Sequence, residues 1–368
     1  MAETVTKVKV YSNRMDMEYE IHRFSEYKID IDLETDADGF NMVFENPNGM
    51  YTGFFNKFDP ISVYINGVPV LYGTIDYTRY VWSESQSHIQ IVGRDFTAIF
   101  VDNDALPSTF NNVKPSKYIA DKCSEYGVTK IVLDESVPIQ ENLIIGVNES
   151  EISIMSNLIV EDHKRIWSIY DTLYMGTWST QIEPEYYFTR GVPSNIAGIP
   201  IKSLDLTDDG TDMKSEVRIY GTMNDGAEKV VGVAKNEYLI DKKIRRRRTS
   251  RSSNDDSTSK FASSALKKLR EDFRSGIKLE ITIKTSDIIV MPNRTAHVID
   301  SITKTNSIFF ISSVSYSKEA SSGSTTNITM IPGDTTVDVL WQNQSSKTKG
   351  NITGSSGLSL TELLKNKK

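Results

Sequence analysis

A single cysteine, Cys123, stands in 368 residues, so no intrachain disulfide forms and no cysteine-based zinc site is available. Histidine is nearly as scarce. His22, His88, His163 and His297 are scattered, without the H-x-x-x-H or H-x-H pairing that holds a metal. No run approaches ~18 consecutive apolar residues, so no segment is expected to span a bilayer as a helix. The opening MAETVTKVKVYSN carries charges where the apolar core of a secretion signal would lie, and the expectation is a chain made in a reducing cytoplasm. Motifs are missing as well: there is no G-x-S-x-G elbow, no P-loop and no G-x-G-x-x-G. Nor is there an excess of positive charge. Lys and Arg number 42 against 49 Asp and Glu, and the net charge of −7 argues against non-specific nucleic-acid binding over the whole surface.

What is present is ordinary soluble composition, 25% charged with a mean hydropathy of −0.35, which excludes wholesale disorder. The length suits two or three domains, each able to bury a core. The organising stretch runs from Phe58 to Asp95 and reads as a β-meander. Ile61, Val63 and Ile65 alternate with polar positions, Asn66-Gly67 supplies a two-residue hairpin turn, and Val68, Val70 and Tyr72 begin the return. Ile89 and Ile91 lead the next strand into Gly93-Arg94-Asp95.

A similar pattern returns from Met291. Leu71 to Arg79 (LYGTIDYTR) matches Phe310 to Lys318 (FISSVSYSK) in size and polarity, which sets Tyr77 against Tyr316. Tyr77 to Asp95 and Tyr316 to Asp334 are the same distance in sequence, with a Ser-rich turn inside each. Two meanders resemble one another through alternation alone. The other reading is one chain that carries the same small barrel twice.

Between and around these stretches the chain reads in order. Val5 to Tyr11 and Tyr27 to Glu34 add strands to the first unit, and Asp95 to Val101 forms a short capping helix with Phe96, Ile99 and Phe100 on one side. Pro115 opens a helix through Tyr126, stopped by Gly127, with Tyr118, Ile119 and Cys123 buried. Asn148 and Glu151 have capping-box spacing ahead of a helix to Glu161, striped by Ile152, Met155, Leu158 and Ile159. Arg165 to Met175 is a hairpin turning near Asp171-Thr172. β pattern resumes from Ile201 to Met223. Ser257 to Arg274 is a helix with Phe261, Ala265, Leu269 and Phe273 spaced by four and Gly276 as its stop. The fold class expected is therefore mainly β with an α/β insert. The divisions are a first barrel over 1–103, a helical α/β module over 104–190, a second barrel over 191–335 with a basic excursion and helix near 240–276, and a flexible Ser/Thr/Asn/Gly-rich tail over 336–368.

Chemistry is sparse. Glu34 to Glu45 (ETDADGFNMVFE) approximates a calcium loop, but Asn41 fills an apolar position and the flanks are strands, so a carboxylate-rich turn is the preferred reading. A glycosidase carboxylate pair leaves no local motif, and 49 acids make mere presence uninformative. No catalytic residue, metal ligand or cofactor site is assigned. Two stretches are candidates for partner binding. Arg245, Arg246, Arg247 and Arg248 suit an acidic partner, or are a solvated excursion balanced by Asp255 and Asp256. Leu358, Leu360, Leu363 and Leu364 near the end are either tag-like sequence or a peptide that folds on docking.

The order of the parts carries a family resemblance. YKIDIDLETDADGFNMVFENP, ISVYINGVPVLYGTIDY and IQIVGRD resemble the opening barrel of baseplate hub proteins of contractile phage tails, the late-control-D and Mu-type hubs. PSKYIADKC and SEISIMSNLIVEDHKRIWSIYDTLYMG look like their helical module. DMKSEVRIYG, the basic stretch, the Phe261 to Arg274 helix and ISSVSYSKEASSGSTTNITMI resemble the return barrel. The resemblance covers roughly residues 1 to 335; contractile bacteriocins (tailocins) use similar hubs, and type VI spike proteins contain a related part. It implies two tube-like barrels, a structural role without catalysis, and a homotrimer that adapts a sixfold tail tube to a threefold spike. The implied partners are the tube protein, a separate spike protein and baseplate wedge proteins, with no nucleic-acid contact beyond the tube lumen, in a virion or bacteriocin particle. The competing reading is a tail-associated cell-wall hydrolase or wall-binding module.

Overall fold

The computed structural model describes residues 6–12, 16–21, 24–84, 87–159, 164–178, 183–193, 196–222, 228–251, 258–319 and 323–332. The fold is mainly β. Its first unit holds β1 (Thr6–Ser12), β2 (Met17–Ile21), β3 (Glu26–Asp32), β4 (Gly39–Glu45), β5 (Pro60–Ile65), β6 (Val68–Trp82) and β7 (Ser87–Asp95). The expected meander is β5-β6-β7. Asn66 and Gly67, at φ 49° and 81°, form the tight turn that their left-handed backbone permits. Pairing gives the order β3-β4-β7-β6-β5-β1-β2. Alternation puts Ile29, Ile31, Phe40, Met42, Phe44, Ile61, Val63, Ile89 and Ile91 on one buried face. Gly93 is required here, because a Cβ at this position would lie 2.0 Å from the Thr74 carbonyl oxygen and 2.5 Å from the Phe40 ring.

The turn between β3 and β4, the calcium-loop look-alike, is organised by its own carboxylates. Asp32 Oδ1 accepts the Glu34 N–H at 2.9 Å, and Asp38 Oδ1 accepts the Asp32 N–H at 2.7 Å. α1 (Ala98–Asp102) follows β7 and buries Phe100, whereas Ile99 faces outward, against expectation. Neighbouring helical residues lie about 100° apart, and here Phe100 takes the inward side and Ile99 the rim.

The α/β module contains β8 (Ser108–Val113), α2 (Pro115–Glu125), β9 (Ile131–Leu133), β10 (Gln140–Ile145), α3 (Glu151–Asn157), β11 (Lys164–Ile169) and β12 (Thr172–Thr177). α2 matches expectation, with Gly127 at φ 76° after it and Tyr118, Ile119 and Cys123 inside. α3 does not start where the capping box suggested. Its cap is Ser150, whose Oγ accepts the Ser153 N–H, while Asn148 sits at φ 62° in the preceding turn. Glu151 turns inward, accepting from the Tyr118 hydroxyl at 3.1 Å and pairing with Lys122 at 2.8 Å. The β11-β12 hairpin turns at Tyr170-Asp171.

The second unit holds β13 (Tyr186–Arg190), β14 (Ile199–Pro200) and β15 (Ser203–Asp208). An insert then interrupts it: β16 (Glu216–Thr222), β17 (Glu228–Lys235), α4 (Glu237–Asp241), β18 (Arg247–Arg251) and α5 (Thr258–Arg274). The unit resumes with β19 (Ile277–Lys284), β20 (Arg294–Asp300), β21 (Thr305–Glu319) and β22 (Gly323–Ile331). The insert is larger than the excursion expected near 240–276. β16 leaves the main sheet to centre its own three strands, β17-β16-β18, and Val217 and Ile219 pack on Ala265 and Leu269 of α5. The basic run thus contributes a strand.

The repeat read from the sequence is present in the topology. β3-β4-β7-β6-β5 in the first unit corresponds to β15-β19-β22-β21-β20 in the second, with every pairing antiparallel in both. Each long strand, β6 and β21, is 15 residues and carries a bulge against its β7 or β22 partner, at Asp76 and at Ser312; β6 has another at Val70, against β5, without a counterpart in β21. Matching these two bulges sets Tyr80 against Tyr316 and Tyr77 against Ser313, three residues away from the match that size and polarity give. Three is odd, so the difference moves Tyr77 to the opposite face of the sheet from Tyr316. β21 also pairs with β3, so the two units share one sheet, β15-β19-β22-β21-β3-β4-β7-β6, and one hydrophobic cluster runs through both.

Candidate assembly interface

The junction between the units is a strand pairing. β21 is covered by β20 along its first half, from Thr305 to Ile311; beyond the bulge the same strand pairs with β3, from Ser313 opposite Asp32 to Lys318 opposite Tyr27. Leu33 N–H donates to the Ser312 carbonyl at 3.0 Å and closes the corner. Tyr316 lies opposite Ile29 and is fully buried, its hydroxyl donating to the Val290 carbonyl oxygen; burial pushes its ionisation far above the usual tyrosine range. The sheet face away from the core is hydroxyl- and amide-rich. Gln90 donates to Asn41 at 2.9 Å, Thr282 to Asn327 at 2.7 Å, and Ser317 and Thr325 lie 3.0 Å apart.

The corresponding places at the two ends of this sheet are open. β6 runs past β5, which covers only Val68 to Thr74 of it, and among the described residues no strand lies along that edge from Tyr77 to Trp82. Tyr77, Tyr80 and Trp82 are exposed, Trp82 at 78%. At the other end β15 pairs with β19 alone, again among the described residues.

The α/β module is fastened to the first unit through a buried acid. Asp95 accepts from Thr97 N–H and hydroxyl at 3.2 and 2.6 Å and from the Ser168 hydroxyl of β11 at 2.6 Å. Burial raises the Asp95 carboxyl to about 6, and burial together with nearby Asp95 holds Asp38 well above the usual carboxylate range. The Tyr170 hydroxyl lies 3.1 Å from that of Tyr64, across the same seam. A second seam centres on Trp178, stacked on Phe310 at 5.1 Å with the Arg165 and Arg274 guanidiniums 5.6 and 5.8 Å from its ring. Arg165 also pairs with Glu271 of α5 at 2.9 Å, beside a cavity of about 490 Å³. None of this was legible beforehand, because the contacts join segments about a hundred residues apart.

The sequence-predicted site residues fare differently from one another. Arg245 to Arg248 come together at the β18 edge of the insert and are exposed. Arg246 donates to the Gly210 and Thr211 carbonyls at 2.6 Å each, Arg247 pairs with Glu216 at 3.2 Å, and Arg248 pairs with Asp272 of α5 at 2.5 Å. Three of the four therefore hold the insert together. Leu358, Leu360, Leu363 and Leu364 lie outside the described residues, as do His22 and His163. His297 shares a hydrogen bond with Asn306 at 2.7 Å. Among the described residues no helix is long and apolar enough to cross a membrane.

Residues 18–95 match the family model for the N-terminal part of the Mu phage baseplate assembly protein GpP-like family. No curated protein matches the chain in sequence. Among solved structures, a tail protein of Neisseria meningitidis MC58 superposes with a TM-score of 0.76 at 20% identity, over 91% of this chain and 98% of that one. The 43 kDa tail protein of prophage MuSo2 from Shewanella oneidensis gives 0.70 at 17%, over 91% and 100%. An E. coli type VI secretion component, c3393, described as structurally similar to T4 tail proteins gp27 and gp5, gives 0.55 at 10%, over 85% and 74%. The family model thus falls on the first unit, and the fold of these tail proteins runs along nine-tenths of the chain.

Proposed function

We propose that this chain is the structural hub of a contractile tail baseplate, in a phage or bacteriocin particle, and that three copies close into a ring joining a sixfold tail tube to a threefold spike. The observation that carries this reading is the repeated strand order, β3-β4-β7-β6-β5 and β15-β19-β22-β21-β20, side by side in one sheet. Three copies present six such units, so one face of the ring offers sixfold geometry while the chain itself remains threefold. The role is architectural and no bond is made or broken. The tube protein and the spike protein meet opposite faces of the ring. The α/β module, the Arg245 to Arg248 edge and the leucines from Leu358 to Leu364 are the parts offered to wedge or spike neighbours. Light scattering of the purified chain, alone and with its spike, tests the reading: the expected mass is three times 41.5 kDa, and a chain that stays monomeric in both conditions overturns it. Deleting residues 345–368 is expected to lower incorporation into particles, and unchanged assembly removes that role from the leucines.

A further inference from the structure

We infer that β6 of one copy pairs antiparallel with β15 of the next, in the register that β21 and β3 use inside the chain. The inference deepens the ring proposed above and rests on it only for the number of copies. Inside one chain β21 passes the end of β20 and is met by β3, the first strand of the neighbouring unit. β6 passes the end of β5 in the same way and meets no strand among the described residues; β15, the counterpart of β3, is paired on one edge only. The two open edges are the two halves of the junction already made once. Being different surfaces, they assemble copies head to tail, as a closing ring requires.

The register follows from the internal pairs. Equivalence through the bulges and the β7/β22 and β4/β19 rungs sets Tyr27 against Leu204 and Ile29 against Leu206. Lys318 opposite Tyr27 and Tyr316 opposite Ile29 then become Trp82 opposite Leu204 and Tyr80 opposite Leu206 of the next copy. Three features of the open edge fit this occupant. Tyr316 is fully buried at the internal junction, whereas Tyr80, at the equivalent place, is 38% exposed. Trp82 is the most exposed aromatic side chain among the described residues and gains an apolar partner in Leu204, itself half-buried and on the core side of its strand. On the polar face Arg79 falls opposite Thr207, diagonal to Asp205 and Asp209, both exposed.

Paired cysteines test the register in the full chain. Successive antiparallel rungs alternate between hydrogen-bonded and closer non-hydrogen-bonded pairs, so one of two neighbouring rungs suits a disulfide. We expect Tyr80→Cys/Leu206→Cys or Arg79→Cys/Thr207→Cys to give covalent oligomers ending at the ring on mild oxidation. Tyr80→Cys/Leu204→Cys, displaced by two rungs, is expected to give few. Arg79 and Thr207 are exposed, so their replacement leaves the fold intact, and native Cys123 is fully buried with its thiol pushed up to about 11. Trp82→Ala is expected to raise the dissociation constant of the assembly about tenfold or more. If light scattering shows a trimer but neither in-register pair cross-links, or the displaced pair cross-links as well, this pairing is overturned and the ring survives. A monomer throughout overturns both.

Discussion

Tyr316 of the second unit lies directly opposite Ile29 of the first, and its hydroxyl reaches back to the Val290 carbonyl of its own unit. One side chain therefore belongs to both cores. Tyr316→Ala is expected to destabilise the chain by about 3–5 kcal/mol, and Tyr316→Phe by about 1 kcal/mol for the lost hydrogen bond. Denaturant unfolding measures both, and the larger loss should appear in the two units together.

Gly93 and Gly210 make a matched pair for backbone substitution. A Cβ at Gly93 collides with the Thr74 carbonyl and the Phe40 ring, whereas one at Gly210 meets nothing within 4 Å. Gly93→Ala is expected to cost about 3 kcal/mol or more and Gly210→Ala less than about 0.5 kcal/mol, by thermal unfolding of the two variants.

Asp95 makes stability depend on pH in the direction opposite to most acids. Its folded carboxyl titrates at about 6, above its unfolded value, so the folded state holds the proton more tightly. Stability is expected to rise as pH falls from 7.5 to 5.5, by on the order of 1 kcal/mol, and Asp95→Asn should flatten that segment of the curve. Thermal melts across this range decide it.

Asp300 acts at lower pH and with the other sign. Arg190, donating at 2.7 and 3.0 Å, holds its carboxyl well below the usual range, with Thr303 N–H adding a further bond at 2.7 Å. Its stabilising share is present above its unfolded value and is lost as pH drops below about 4. Asp300→Asn is expected to cost roughly 3 kcal/mol at neutral pH, since the buried acceptor of a guanidinium is replaced by a neutral group. Chemical denaturation at pH 7 and pH 3 should show the gap between wild type and variant closing.

How much of this was readable in advance depended on range. Asn66-Gly67, Gly127 and the alternation of Ile61, Val63 and Ile65 reveal themselves within a few residues, and the meander and α2 follow from them. The repeat was legible as topology, but its match was three residues out. The bulges at Asp76 and Ser312 shift register without leaving a motif. The cap of α3 moved to Ser150 because Glu151 was drawn inward by Tyr118 and Lys122, a tertiary contact that local spacing does not carry. The arginine run drew notice as charge, yet Arg246, Arg247 and Arg248 have partners contributed by β16, α5 and the loop before β16. The open edges of β6 and β15 are visible only once every strand has its neighbours.

The sharing of β21 has a mechanical consequence. Because one strand is stitched along its length to β20, β22 and β3, tension that slides the units past one another along the strands strains many backbone bonds at once. Such a pull loads the rungs of the β21–β3 seam together rather than one after another, so the two units resist sliding as one body.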